Sequence, residues 1–334
     1  MHDLMTGLLI AITGGALLPF LLILWPSGRP PAVLTSLAEP AEQGDFSDLP
    51  TIAGVPARDG TQLAFRAYTP AGRPIAAAVL IHGSSADSRN MHGVGRFLAN
   101  AGVVAYAVDI RGHGATGRRG DIDYVGQIDD DIEDLLAQIK PRHRGIPLTL
   151  IGFSSGGGYA LRVAATPRLA SRFDRFLLLA PFLHHAGPTA RRRAGGWVKP
   201  NVPRIVGLSI LARLNVPWFQ HLPVLAFALP RYLQDRRTLS YSYRLQKSFR
   251  PYDDFLGDVR RIDRPARLLI GERDQIFVAE AYKPLLEPIG TIDVEVLPGL
   301  GHLDLIKDPG VLSEIATFTV GERAAPSLPH LAGS

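Results

Sequence analysis

The sequence predicts an α/β domain with a mainly parallel central sheet and helices on both of its faces. Short apolar runs of the kind that form strands buried on both faces occur at 76–81, 103–108, 148–151, 176–179, 267–270 and 292–297. Stretches with helical patterns lie between them, at 93–101, 128–139, 157–165 and 279–286. Alternation of strands and helices along a chain is typical of a parallel sheet.

Composition limits the classes of protein that fit. The chain has 334 residues, of which 46% are apolar and 20% charged, so it is globular. It contains no cysteine, which excludes disulfides, thiolate catalysis and cysteine metal sites. The net charge of +5 is modest, and no base-reading module is present, so we expect no nucleic-acid partner.

The amino terminus carries a long apolar segment. Residues 4–25 include no charged side chain and would span about 33 Å as a helix. We expect residues 1–25 to be a single-pass membrane anchor. A cleaved signal peptide is the alternative, but the run is long and no A-x-A site follows it. Arg29 is the nearest basic residue, so the positive-inside rule does not decide which side of the membrane carries the domain.

Composition also suggests where the domain begins and ends. Residues 26–50 are rich in proline and small residues and predict a linker. The α/β pattern then covers 51–181 and 251–322, and 323–334 form a tail.

The stretch 182–250, called the insertion below, breaks the α/β rhythm. Its only acidic residue is Asp235. It has twelve basic residues: Arg191, Arg192, Arg193, Lys199, Arg204, Arg213, Arg231, Arg236, Arg237, Arg244, Lys247 and Arg250. We expect a lid or cap. Its aromatic and basic residues fit a surface that lies on an anionic bilayer, and equally a solvated lid with an apolar underside.

The sharpest local signal is the G-x-S-x-G motif centred on Ser154. A predicted strand precedes it and a predicted helix follows it. Such a strand-to-helix turn holds the serine in a strained conformation with its hydroxyl exposed, as a nucleophile requires. A plain Gly/Ser turn is the alternative, and Ser155 is the motif's other hydroxyl.

Chain order selects a base and an acid for Ser154. A serine needs a base, most often a histidine oriented by a carboxylate, and the order in such sheets is serine, acid, histidine. Asp274 follows one predicted strand and His302 follows the next. We therefore expect Asp274 to orient His302, with Glu272 in the same loop as the rival acid. The histidines of the insertion, His184, His185 and His221, are expected to be solvated or to face substrate.

An oxyanion loop is expected after the strand at 76–81. Backbone N–H groups best stabilise the anion of a tetrahedral intermediate. The N–H of Ser155 and, from this loop, the N–H of Ser84 are the candidates. We expect His82 to shape the loop without transferring protons.

These motifs together resemble the α/β-hydrolase superfamily. The resemblance rests on His82-Gly83, the D-I-R-G-H-G segment at 109–114, the elbow at 152–156, G-E-R-D at 271–274 and Gly301-His302, and it runs from about 51 to 320. The chain looks most like the monoacylglycerol lipase and lysophospholipase group, also labelled serine-aminopeptidase-like hydrolases. The resemblance implies a triad of Ser154, Asp274 and His302, an oxyanion hole at Ser84 and Ser155, and scaffold roles for Asp109, Arg111 and His113. The apolar amino terminus and the long basic insertion depart from soluble members and leave the acyl substrate open.

The expected activity is ester hydrolysis through an acyl-enzyme on Ser154, without metal or organic cofactor. A lipid ester such as a monoacylglycerol or lysophospholipid is the expected substrate, and the membrane the expected location. An acyltransferase or peptidase with the same triad is the alternative. A non-catalytic membrane-tethered binding protein fits less well, because triad and oxyanion loop are intact. The natural substrate and oligomeric state stay open.

Overall fold

Most of the central sheet is built from parallel apolar strands whose carboxyl ends meet at one edge. The structure, a computed structural model, describes residues 17–233 and 235–321. They form eleven strands: β1 (Ile52–Pro56), β2 (Gln62–Tyr68), β3 (Ala76–Ile81), β4 (Val103–Val108), β5 (Leu148–Phe153), β6 (Arg175–Leu179), β7 (Val198–Pro200), β8 (Pro223–Phe227), β9 (Ser240–Ser242), β10 (Ala266–Gly271) and β11 (Asp293–Leu297). Eight of them make one sheet, in the order β1-β2-β4-β3-β5-β6-β10-β11.

This sheet confirms the predicted fold class. β3, β4, β5, β6, β10 and β11 run parallel, and β1 and β2 add an antiparallel edge. Every residue of β3, β4 and β5 is buried, as expected for strands covered on both faces. The two antiparallel strands were not predicted: β1 has a single buried residue and lacks a continuous apolar run.

Helices connect the strands and pack in two groups. They are α1 (Thr35–Glu42), α2 (His92–Asn100), α3 (Gln127–Ile139), α4 (Ser155–Ala165), α5 (Pro167–Ala170), α6 (Val202–Arg213), α7 (Tyr243–Ser248), α8 (Phe255–Arg260), α9 (Tyr282–Leu286) and α10 (Pro309–Val320). α2 packs with α10, and α4 packs with α5 and α8. The helix α4 begins directly after β5, so residue 154 lies at the turn between them.

The insertion forms structure of its own between β6 and β10. Its strands pair as a small antiparallel sheet in the order β7-β8-β9, and α6 links β7 to β8. Leu208 and Leu211 of α6 pack with Val224 and Tyr243 in a cluster separate from the main core.

The amino-terminal segment contacts this same cluster. Residues 17–23 are helical, and Ile23 is buried against α6. Burying an isoleucine contributes roughly 1.5–3 kcal/mol, so the contact stabilises the segment on the insertion. Arg204 adds hydrogen bonds from Nε to the Ile23 carbonyl at 2.9 Å and from Nη2 to the Trp25 carbonyl at 3.2 Å.

The predicted membrane anchor lies largely beyond what the structure describes. Residues 4–16 of that segment, and the tail from 322, are outside the described residues. In the part of the chain that the structure describes, no helix has the length and apolar character needed to cross a bilayer.

Candidate active site

Ser154 lies on a strained turn between β5 and α4. Its φ of 56° and ψ of −116° put a non-glycine residue in a left-handed region, which costs about 1–3 kcal/mol. The turn tolerates no side chain at its flanks: a Cβ at Gly152 would collide with the Gly156 carbonyl, and one at Gly156 with the His82 carbonyl. The Ser154 N–H donates to the Leu179 carbonyl at 2.8 Å, which ties the turn to β6. The geometry is that of a nucleophile elbow.

Asp274 and His302 come together after β10 and β11. The imidazole Nδ1 of His302 lies 2.7 Å from Oδ2 of Asp274, and both side chains are buried. The other oxygen, Oδ1, accepts from the Ile276 N–H at 2.7 Å and the Phe277 N–H at 2.8 Å. An ionised carboxylate only accepts, so Nδ1 carries the proton and Nε2 is left as the proton acceptor.

Aromatic rings fix the orientation of the His302 imidazole. The ring of Phe153 lies 4.8 Å from it and the ring of Phe277 lies 5.5 Å away, centroid to centroid. The His302 N–H also donates to Oε1 of Gln275 at 2.9 Å. Phe153 directly precedes Ser154, and Ser154 and His302 line one small pocket.

The rival acid lies elsewhere. Glu272 is exposed, and its Oε2 accepts from the Gly299 N–H at 2.8 Å. Of the two candidate acids, Asp274 is therefore the one whose carboxylate bonds to His302.

The loop after β3 lies against Ser154 from the other side. A Cβ at Gly83 would come within 3.3 Å of the Ser154 Cβ, so the backbone of this loop approaches the serine closely. Ser84 and Ser155 line the same cavity as Ser154. The Ser155 N–H belongs to the first residue of α4 and has no acceptor within that helix. The predicted oxyanion donors therefore flank the predicted nucleophile.

The D-I-R-G-H-G segment supports that loop from beneath. Asp109 accepts from the Ser88 N–H at 2.7 Å and from the Ala115 N–H at 2.9 Å. Arg111 makes a two-pronged bond to Asp131, at 2.6 and 2.8 Å. These contacts are internal to the core, in keeping with the scaffold roles that the resemblance implies.

Two histidines, one in this loop and one in the D-I-R-G-H-G segment, are buried and neutral. His82 Nδ1–H donates to the Gly83 carbonyl at 2.7 Å, and its Nε2 accepts from the Ile110 N–H at 3.2 Å. His113 Nδ1–H donates to the Ile110 carbonyl at 3.2 Å. Burial, reinforced by the neighbouring His82, holds the pKa of His113 well below its usual value. Burial likewise lowers the pKa of His82.

Residues of the insertion, which the sequence did not single out for this role, hold the oxyanion loop from above. The Tyr241 hydroxyl accepts from the Ser85 N–H at 2.8 Å and donates to Nε2 of His113 at 2.6 Å. Trp197 Nε1–H donates to the Ser84 Oγ at 2.9 Å. The Thr238 N–H donates to the Ser85 carbonyl, and the Ser85 hydroxyl donates to the Thr238 carbonyl. The partners are more than 110 residues apart in sequence, so no local motif could reveal these bonds.

A cavity of about 440 Å³ extends from Ser154 beneath the insertion. Its lining is largely apolar and includes Ile205, Leu225 and Phe227. Of the insertion's histidines, His185 lines the cavity, and His184 stacks on Phe255. His221 is exposed.

Among residues 17–233 and 235–321, no group of three or more His, Asp or Glu side chains is placed to hold a metal ion.

The fold and the site define the class: this is an α/β-hydrolase fold with a serine elbow and an acid–histidine pair at the carboxyl edge of its sheet. Residues 72–309 match the family model described as serine aminopeptidase, S33. The chain belongs to that family.

Curated relatives match a shorter part of the chain. A monoacylglycerol lipase of Mycolicibacterium smegmatis is 27% identical over 150 residues, which are 43% of this chain and 53% of that protein. A monoglyceride lipase of Homo sapiens is 27% identical over 141 residues, 41% of this chain and 44% of that protein. The chain thus spans about half the length of the curated relatives it matches.

Solved structures share the fold at low identity. The Saccharomyces cerevisiae monoglyceride lipase has a TM-score of 0.57 at 16% identity, covering 81% of this chain and 92% of that one. The Paleococcus ferrophilus monoacylglycerol lipase has a TM-score of 0.56 at 22% identity, covering 77% and 96%. A bacterial membrane phospholipase A has a TM-score of 0.55 at 18% identity, covering 97% and 100%.

Proposed function

We propose that this protein hydrolyses carboxylic esters through an acyl-enzyme on Ser154. The observation that carries the proposal is the 2.7 Å bond between His302 and Asp274 next to a serine on a strained elbow. With Nδ1 engaged, the free Nε2 of His302 is the atom that would take the Ser154 proton.

The reaction proceeds in two steps. Ser154 Oγ attacks the ester carbonyl while His302 accepts its proton, and the oxyanion binds the N–H groups of Ser84 and Ser155. His302 then donates that proton to the leaving alcohol, and Ser154 keeps the acyl group. In the second step His302 deprotonates water, which attacks the acyl-enzyme. The carboxylic acid leaves and Ser154 regains its proton.

A lipid ester is the proposed substrate. The cavity at Ser154 has a volume of about 440 Å³, within the range of sites for small organic ligands. One face of α6 contributes Val202, Ile205, Val206 and Ser209 to its lining, an i, i+3, i+4, i+7 set that is apolar except for its last member. Such a lining suits an acyl chain, and the monoacylglycerol lipase relatives support the same class.

Aminopeptidase activity, the alternative raised by the family description, fits the cavity less well. An aminopeptidase needs a carboxylate to hold the substrate's ammonium group. Among the described lining residues the cavity has one carboxylate, Asp253, already bonded to Lys247 and Arg250. Cleavage of aminoacyl p-nitroanilides faster than esters would favour the peptidase.

A panel of p-nitrophenyl esters of rising chain length tests the ester proposal. We expect turnover to peak at medium or long chains, and monoacylglycerol to be cleaved. The Ser154→Ala variant is the control and should lose about 10⁴-fold or more in kcat. Activity unchanged by Ser154→Ala would contradict the proposal.

We also propose that residues 4–25 anchor the protein and that the insertion faces the membrane. Apolar side chains of the docked segment and of the insertion are exposed: Leu17, Leu21, Leu24, Trp25, Leu214, Trp218 and Phe219. Phe20 packs edge-on against Phe219, 6.4 Å between centroids, so segment and insertion share this surface. Apolar side chains flanked by arginine are typical of surfaces that contact anionic lipid.

Alkaline carbonate extraction tests the anchor. The full chain should stay with the membrane pellet, whereas a variant lacking residues 4–16, which keeps the docked segment, should be released. Full release of the unaltered chain would contradict an uncleaved anchor.

A further inference from the structure

Two spaces meet at Ser154, and they differ in size and in lining. One is the cavity of about 440 Å³ beneath the insertion, which Ser154 lines together with Ser84 and Ser155. The other is the small pocket that Ser154 lines together with His302, and its volume is about 50 Å³. His302 lines the small pocket and does not line the large cavity. The side of the serine that faces the imidazole is therefore the side with less room.

The proposed reaction places a different half of the ester in each space. His302 has to donate its proton to the oxygen of the leaving alcohol, so that oxygen lies on the side of the imidazole. The acyl chain then extends into the large cavity, which is also lined by the residues of the predicted oxyanion donors. The small pocket is thus where the alcohol part of the substrate would lie.

One wall of the small pocket comes from the stretch that the sequence predicts as a linker. Leu37 and Glu42 of α1 line the pocket, opposite to no motif of the α/β pattern, together with Trp197 of the insertion. Leu37 is only 4% exposed and belongs to the main hydrophobic core, so α1 packs on the domain through this side chain. The amino-terminal stretch therefore contributes side chains to the surroundings of Ser154.

Contacts on two sides hold α1 at the pocket. On the side of the insertion, Glu42 accepts from Nε of Arg237 at 2.7 Å and from Nη2 of Arg236 at 2.9 Å. On the side of the acid–histidine pair, α1 packs against residues 303–306, which directly follow His302. A helix held from both sides keeps its inward side chains in place, so the wall has a defined position.

The volume of the small pocket limits the size of the alcohol. A water molecule needs roughly 10–15 Å³ of such a volume, so about 50 Å³ takes roughly three to five water-sized groups. An alcohol with about that many non-hydrogen atoms beyond the ester oxygen fits the pocket. A larger alcohol requires the wall to move, and closely packed side chains resist such a movement.

We propose that α1 determines which alcohols this enzyme releases, and that the side chain of Leu37 sets the size limit. The inference rests on the proposed ester hydrolysis and adds the alcohol side of its specificity. Esters of small alcohols are cleaved faster than esters of bulky alcohols with the same acyl chain. The limit slows the bulky esters without abolishing their cleavage, so activated aryl esters remain substrates.

Two hexanoate esters test the size limit. Ethyl hexanoate and benzyl hexanoate form the same acyl-enzyme, and benzyl alcohol is no poorer a leaving group than ethanol. Their kcat/KM values therefore compare the steps up to departure of the alcohol. The wild-type protein should prefer the ethyl ester about tenfold or more, and Leu37→Ala should reduce the preference to about twofold or less. Leu37→Val, which removes one carbon and disturbs the packing less, should lower the preference at least about threefold.

Leu34→Ala is the matched control for the loss of a leucine. Leu34 lies just before α1 and packs against the same core, and its N–H donates to the Ala228 carbonyl at 3.0 Å. It does not line the small pocket, so its substitution should leave the ethyl preference unchanged. Ile205→Ala, in the large cavity, should change the dependence on acyl-chain length and also leave the ethyl preference unchanged.

The outcomes separate the size limit from the proposed function. A wild-type enzyme that cleaves both esters equally well, or Leu37 variants that keep the full preference, would overturn the size limit and leave ester hydrolysis intact. Equal changes in Leu34→Ala and Leu37→Ala would overturn Leu37 as its cause. Failure to cleave either ester would overturn the proposed function, and the size limit with it.

Transfer of the acyl group to an added alcohol tests the size limit in the wild-type protein alone. The alcohol gives its proton to His302, its oxygen attacks the acyl-enzyme, and Ser154 leaves with that proton. With p-nitrophenyl hexanoate as donor and equal alcohol concentrations, ethyl hexanoate should form at least about fivefold faster than benzyl hexanoate. Gas chromatography of the early products measures both esters. Equal rates of formation would overturn the size limit.

Discussion

The core and the insertion differ in which side chains they bury: the core buries polar ones, and the insertion exposes apolar ones. In the core, Asp109, Arg111 and His113 are buried and bonded to neighbouring groups. In the insertion, Trp218 and Leu214 are 61% and 65% exposed. A bonded, buried framework keeps reacting groups within narrow distances. An exposed apolar and basic surface suits recognition of something outside the molecule. The comparison favours our proposal that chemistry takes place at the core and that the insertion recognises the substrate.

The two regions meet at the oxyanion loop, which has bonds to both. His82 and Asp109 hold it from the core, and Trp197 and Tyr241 hold it from the insertion. The insertion therefore holds the predicted oxyanion loop as well as lining the cavity.

The largest expected effect separates the two carboxylates of the 271–274 loop. Asp274→Asn removes the acceptor that fixes the His302 tautomer and should lower kcat about 10⁴-fold. Glu272→Gln should stay within about twofold, because Glu272 accepts from a backbone N–H and lies away from His302. Steady-state ester hydrolysis measures both. A greater loss for Glu272→Gln would reverse the assignment.

An intermediate effect on kcat is expected from a change at the contact between the core and the insertion. Tyr241→Phe removes the hydroxyl that accepts from the Ser85 N–H and donates to His113, so the oxyanion loop should shift. We expect kcat to fall roughly tenfold with KM little changed, since a small misplacement near the reacting atoms is costly.

Tyr243→Phe is the matched control, because its hydroxyl bonds to Ser209 within the insertion. It should keep kcat. If the two variants lose the same activity, Tyr241 acts only through the stability of the insertion.

The smallest expected effect is a dependence of stability on pH that originates in the core. His113 and His82 have pKa values lowered by burial, so the folded state keeps them neutral while the unfolded chain binds protons below about pH 6.5. The free energy of unfolding should therefore decline as the pH falls from 6.5 to 5. Urea unfolding at several pH values measures this decline.

His113→Gln should make that decline shallower, whereas His221→Gln, at an exposed position in the insertion, should leave it unchanged. Equal slopes for the wild type and His113→Gln would mean that other groups control the acid sensitivity.

Sequence patterns predicted the core better than the insertion for a physical reason. β3, β4 and β5 are buried on both faces and appear as plain apolar runs, and the site residues follow strand ends in the expected order. β1 is an edge strand with mostly exposed residues, so no apolar run in the sequence indicates a strand there. In the insertion, the bonds from Trp197 and Tyr241 to Ser84 and Ser85 depend on packing between distant parts of the chain.

The direct test of the central claim is covalent labelling of the nucleophile. A fluorophosphonate probe should label the wild-type protein once, on the peptide that contains Ser154, as read by mass spectrometry. Ser155→Ala, which removes the motif's other hydroxyl and keeps its backbone N–H, should label as the wild type does. Ser154→Ala should not label. Equal labelling of Ser154→Ala and wild type would contradict Ser154 as the nucleophile, and with it the proposed chemistry.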